Sequence, residues 1–204
     1  MEQKIDDLKH IRSLMERSTK FLSLSGMSGV SAGVFALLGA LAAYYVGYKG
    51  WRITHVSVIA DLALIAVCVL ILASASGLYF SLRKARRSGA KFWMPVTRQI
   101  LVDFTVPMVA GGLFCGVLVY HHCTDLAQSA MLIFYGLALF CAGARTYRDI
   151  KVLGACEIVL GILAGFVSRY GLLFWAIGFG VLHILYGIII YYRYDAKSAG
   201  KEQA

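Results

Sequence analysis

The chain has 204 residues, of which 59% are hydrophobic and 15% charged, and its formal net charge is +9. Soluble domains run at roughly 45–50% apolar and about 25% charged residues, so a water-soluble fold of this composition would expose apolar surface it cannot cover. Two prolines, five scattered cysteines and no low-complexity run exclude disordered, collagen-like and disulfide-framework classes. With a mean hydropathy of +0.71, the predicted class is an all-α polytopic membrane protein.

Residues 1–20 come first. Ile5, Leu8, Ile11 and Met15 recur every three or four positions, the pattern of an amphipathic helix. Glu2, Asp6, Asp7 and Glu16 set this leader apart from a cleavable signal peptide. It is predicted to lie on the inner leaflet or to extend the first span into the cytoplasm.

A hydrocarbon core of about 30 Å needs about 20 helical residues. Six apolar stretches meet or approach that length: Phe21–Val46, Val56–Phe80, Ile100–Tyr120, Leu126–Ala144, Val152–Val167 and Leu172–Tyr192. Residues 21–192 are thus predicted to form a six-helix transmembrane bundle, and 193–204 a cytoplasmic tail. All but three of the 20 Lys and Arg residues fall in the leader, the second loop, the fourth loop and the tail. The exceptions are Lys49, Arg52 and Arg169. The positive-inside rule then places both termini in the cytoplasm. The loops on the other face are too short for an ectodomain, so any function belongs to the bundle or its inner face.

Four ionisable residues fall within the spans: Asp61, Asp103, Glu157 and His183. Each costs at least about 2.5 kcal/mol at mid-membrane and needs an interior partner or a function. Glu157 shares a helix face with Gly161 and Gly165, and His183 with Gly180 and Gly187. If spans five and six pack through these faces as a hairpin, a Glu157–His183 hydrogen bond follows, serving either as a structural clasp or as a site for a proton or cation. Asp103 stands four residues before Pro107, whose missing N–H makes it a predicted hinge. Asp103 either guards the inner mouth or pairs with Arg98 or Arg145. Asp61 belongs to the same candidate set, with water or Arg52 as its partner.

Glycine steps occur at Gly29/Gly33, Gly112/Gly116 and Gly161/Gly165, each expected to bring two helices close. Their recurrence in spans one, three and five suggests three hairpins in series, against an inverted repeat of three plus three spans. His55, His121 and His122 are candidates for a metal or haem at the outer rim, with solvated loop histidines the plainer reading. No metal or cofactor is assigned. The chain has no HExxH, GxSxG or phosphate-binding glycine loop, and catalytic residues are not assigned. Nucleic-acid binding is disfavoured because the basic residues are divided among four inner segments.

Three stretches, MERSTKFLSLSGMSGVSAG (Met15–Gly33), KFWMPVTRQILVDFTVPMVAGGLFCG (Lys91–Gly116) and GLLFWAIGFGVLHILYGIIIYY (Gly171–Tyr192), carry a likeness. In them the chain resembles a family of small bacterial six-span integral membrane proteins of unknown function. The resemblance implies a cell inner membrane location and supplies no activity or site residues. Two functional expectations stand. One is proton- or cation-coupled transport of a small solute through Glu157, His183 and Asp103, in a chain or a homo-oligomer. The other is a non-catalytic accessory or signalling component that binds a protein partner through the basic cytoplasmic face.

Overall fold

The computed structural model describes residues 25–51, 53–54, 57–87 and 93–195. The predicted leader helix, Arg52, His55 and most of the tail lie outside that set. The described residues are mostly helical, with no strand among them. The helices are α1 (Gly26–Lys49), α2 (Val58–Arg87), α3 (Pro95–Tyr120), α4 (Ala127–Ala142) and α5 (Arg148–Phe166). A last rod, α6, joins Gly171–Trp175, a π-helical segment Ala176–Leu182, the α-helix His183–Ile190 and a π turn Tyr191–Asp195.

Among the described residues, five helices are long and apolar enough to cross a membrane. The exception, α5, has 19 residues. Arg148, Asp149 and Lys151 occupy its first turn and Glu157 its middle, which lowers its hydropathy. The apolar residues left exposed, such as Leu70, Ile71, Leu113 and Phe166, lie on outward helix faces, where lipid is the natural solvent.

Helix ends follow local chemistry. Pro95 opens α3 at a position where a missing N–H costs nothing. Gly50 closes α1 with φ of 70°, a left-handed conformation natural to glycine. At the end of α3 the same role falls to His122 (φ 60°), flanked by Cys123 N–H donating to Leu118 O at 2.8 Å and His122 N–H to Val119 O at 3.1 Å.

The helices associate as α2–α1–α6 and α3–α4–α5, with α6 joining the two groups against α4 and α5. The spans do not group as two consecutive triplets, because α6 returns to α1 and packs more on it than on α5. Backbone approach at glycine explains both main seams. A Cβ on Gly29 would lie 3.0 Å from Gly187 Cα, and one on Gly33 2.6 Å from Gly180 O. Gly136 and Gly154 oppose each other across α4 and α5, each Cβ position 2.6 Å from the other's carbonyl. Gly161 seats Ile133, and Ser129 Oγ donates to Gly161 O at 2.6 Å. Close packing and interhelical hydrogen bonds of this kind hold helices together where lipid removes the hydrophobic drive.

Two expectations need correction. Gly112 and Gly116 join no other helix: a Cβ on either meets nothing within 4 Å, and the packed glycine of α3 is Gly111, against Phe134. The Gly161/Gly165 face packs on α4, at Ile133 and Ser129, and the Gly180/Gly187 face on α1. Both faces are thus spent on other partners, and no glycine-to-glycine hairpin forms between the fifth and sixth stretches. Pro107 lies within α3, whose helix continues on both sides of it. The π-helical turns lie in α6.

Candidate functional site

Glu157 is the residue around which the interior is arranged. Its side chain is 0% exposed, and neither carboxyl oxygen has a hydrogen-bond partner among the described residues. His183, 5% exposed, faces it from α6 with Nδ1 3.4 Å from Oε1. The expected pair is therefore adjacent, but the expected hydrogen bond is not made. Nδ1 is directed to the carbonyl of Gly178 at 3.0 Å. A carbonyl only accepts, so Nδ1 carries a hydrogen and Nε2 of a neutral ring accepts from the Tyr135 hydroxyl, 2.8 Å away.

Local backbone geometry makes room for this cluster. The π segment Ala176–Leu182 lies directly before His183, and π turns inside α-helices are rare and concentrate at functional sites. Gly178 in that segment has no side chain because the Glu157 carboxyl and Leu132 occupy the place of a Cβ. Rings pack around His183: Phe179 stacks at 6.1 Å between centroids, and Tyr135 lies 4.8 Å from Phe179. Trp175 and Phe104 extend the cluster at 5.0 and 5.9 Å.

Asp103 and Asp61 stand elsewhere. Asp103 pairs with Arg145, whose Nε also donates to Gln99 Oε1 at 3.0 Å. This pair borders an open groove of about 600 Å³ lined by Trp93, Met94, Pro95, Arg98, Gln99, Val102 and Asp103. Asp61 is 0% exposed but fully engaged. It accepts from Ile53 N–H at 3.0 Å, Thr54 N–H at 2.7 Å and Thr54 Oγ1 at 2.6 Å. Placed in the first turn of α2, it anchors the preceding loop. The candidate set therefore divides: Glu157 and His183 come together, while Asp103 and Asp61 are structural partners at opposite ends.

A second polar cluster escaped sequence reasoning. Asp195 accepts from Ser25 Oγ (3.2 Å), the Gly26 N–H (2.9 Å) and Lys84 Nζ (2.7 Å). Lys84 also reaches the Tyr147 hydroxyl at 3.3 Å, and Asp149 binds Arg193 and Tyr194 at 2.7 and 3.0 Å. Burial, and after it the Asp195 carboxylate, hold the Tyr147 phenol above its ordinary pKa. These contacts tie the start of α1, the end of α2, the start of α5 and the end of α6 together on one side. Tyr135 and Gly178 were missed as well. Their only sequence signals are a hydroxyl in mid-span and the dense glycine–aromatic run before His183.

Among the described residues no group of three or more His, Cys, Asp or Glu is placed to hold a metal, and the cysteines there are free. His121 and His122 lie in an exposed turn. No family model, curated protein or solved structure matches the chain.

Proposed function

We propose that this chain is a six-span protein of the bacterial inner membrane, with both termini cytoplasmic. It would belong with the small six-span proteins it resembles and bind a proton or small cation at Glu157 as part of coupled transport. The sixth span is α5, whose 19 residues cover about 28 Å at 1.5 Å per residue. Its short apolar stretch is shielded by α4. The joined ends of α1, α2, α5 and α6 support alternating helix directions, and the basic residues support the orientation. Reporter fusions at residues 50, 123 and 170 should report outside, and those at 88, 148 and 204 inside; any exchange overturns this topology.

One observation supports the activity: a fully buried carboxyl group neither of whose oxygens has a hydrogen-bond partner among the described residues. A group meant only to clasp helices would be hydrogen-bonded, because an unpaired polar atom in a dry interior costs free energy and holds nothing. A proton, a cation or a ligand donor satisfies it. Residues like this inside membranes mark ion pathways by default. Currents from liposomes on pH steps and on addition of Na⁺, K⁺ or small amines test the reading. Wild type should respond and Glu157→Gln should not; equal responses exclude a role for Glu157 in transport.

The second reading, an accessory component that binds a protein partner, is favoured by the inner groove. Trp93 is 71% exposed there, beside Arg98. Crosslinking from position 93 in native membranes should then recover a second protein; recovery of this chain alone counts against it.

A further inference from the structure

One hydrogen-bond donor beside Glu157 stands between two acceptors. His183 Nδ1 lies 3.0 Å from the Gly178 carbonyl, which it bonds, and 3.4 Å from Oε1 of Glu157, which it does not. The other ring nitrogen is held by the Tyr135 hydroxyl at 2.8 Å, so the edge with a choice of partner is Nδ1.

That choice bears on the backbone. The bond from Nδ1 to Gly178 spans five residues, the period of a π turn, and Gly178 lies inside the π segment Ala176–Leu182. In an α-helix the same carbonyl would accept the N–H four residues on, which is that of Leu182. Gly178 is also the residue whose missing Cβ leaves room for the Glu157 carboxyl. Acid, donor and π turn therefore meet at one residue.

We infer that His183 is a positioning residue that couples the charge on Glu157 to the helical register of α6. With the carboxyl neutral, Nδ1–H holds the Gly178 carbonyl and with it the π turn. With the carboxyl bare and negative, Nδ1–H moves to Oε1, and the released carbonyl takes the α-helical bond to Leu182. The inference rests on the reading of Glu157 as a binding group and adds what its occupancy does to the fold. The carboxylate wins the competition because hydrogen bonds to an ionised acceptor are roughly twice as strong as neutral ones. The proton that leaves Glu157 goes to water, and no other covalent bond changes. Gly180 of the same segment packs on Gly33 and Leu37 of α1, so a change of register is felt at the seam between α6 and α1.

The titratable groups that face Glu157 are His183 from α6 and, across the imidazole, Tyr135 from α4. Leu132 of α4 shares the Gly178 site with the carboxyl, and Phe104 of α3 meets Tyr135. Cys156, the neighbour of Glu157 on α5, is exposed. Tyr186, one turn beyond His183, packs on the cluster of Tyr147, Ile150 and Ile190, where Lys84 reaches the Tyr147 hydroxyl.

Nuclear magnetic resonance on the full chain in nanodiscs, with carbonyl-13C glycine and 15N phenylalanine, tests the coupling without any transported solute. Only the Gly165–Phe166 and Gly178–Phe179 peptides carry both labels. In wild type the Gly178 carbonyl signal should shift between about pH 5 and about pH 10, where buried carboxyl groups titrate, while Gly165 stays fixed as the reference. Glu157→Gln should hold the Gly178 signal at its low-pH position throughout. His183→Phe, which keeps a ring but removes the donor, should abolish the response; an unmoved Gly165 signal and a thermal melt verify its fold. A Gly178 signal that does not move in wild type, or that titrates equally in Glu157→Gln, overturns the coupling. A response in His183→Phe equal to that of wild type overturns the role of His183. Liposome currents separate this from the binding reading. Currents lost in Glu157→Gln with a static Gly178 signal in wild type refute the coupling alone, whereas a responsive signal without currents counts against transport alone.

Discussion

Asp61 and Glu157 are both carboxylates with 0% exposure in a chain of apolar helices, yet their surroundings differ completely. Asp61 sits in the first turn of α2, where two backbone amides and a threonine hydroxyl converge on it. Glu157 sits halfway along α5, and the facing donor His183 Nδ1–H is directed to the Gly178 carbonyl. Burial is the same for both; satisfaction is not. An acid that donors have gathered around holds structure, whereas a buried acid without a hydrogen-bond donor among the described residues is open to the binding role proposed above.

The largest expected effect falls on the satisfied acid. Asp61→Ala leaves the Ile53 and Thr54 amides without their acceptor and should cost about 3 kcal/mol, read as a lower unfolding midpoint in detergent. If the variant were as stable as wild type, the contrast would collapse from the structural side. Next in size is Gly178→Ala, whose added methyl meets the Glu157 carboxyl and Leu132. Overpacking there should cost about 1–3 kcal/mol and disturb the pH response together with stability, which ties the π segment to the unpaired acid.

The same distinction between engaged and unengaged groups can be drawn among glycines. Gly33→Ala presses on Gly180 O and Ile184 and should destabilise by about 1–3 kcal/mol. Gly112→Ala faces open space and should be neutral or stabilising by up to about 1 kcal/mol, from helix propensity alone. A thermal melt of the two variants side by side checks the difference. Equal losses would mean that Gly112 has a contact beyond this chain.

Much of the architecture was legible because membrane helices announce themselves by unbroken apolar length. Each described helix overlaps its predicted stretch, although α2 runs on past Phe80 to Arg87, and the short fifth stretch is the one not long and apolar enough to count as a span among the described residues. The Glu157–His183 neighbourhood was legible too, since two costly residues in one apolar chain have few places to go. The reason given for it was not right: glycine spacing shows that a face is small, not which helix fills it. Likewise, Asp61 looked like Glu157 because composition reports burial cost but not the donors that a folded loop supplies. Tyr135, Tyr147 and Tyr186 carried no signal among 12 tyrosines, as tyrosine is equally at home in interfacial belts. The clasp from Asp195 to Lys84 and Gly26 joins positions far apart in the chain, a pairing that no local pattern encodes.

If Glu157 is held for binding and contributes no helix clasp, the unfolding midpoint of Glu157→Gln will show it. Gln has nearly the same shape, and the carboxyl makes no hydrogen bond among the described residues for the substitution to break. The variant should melt within about 2 °C of wild type, or above it. A clasp would show the opposite. A fall of more than about 4 °C, corresponding to at least about 1 kcal/mol for a chain of this size, would mean that the carboxyl group stabilises the fold and would contradict the account.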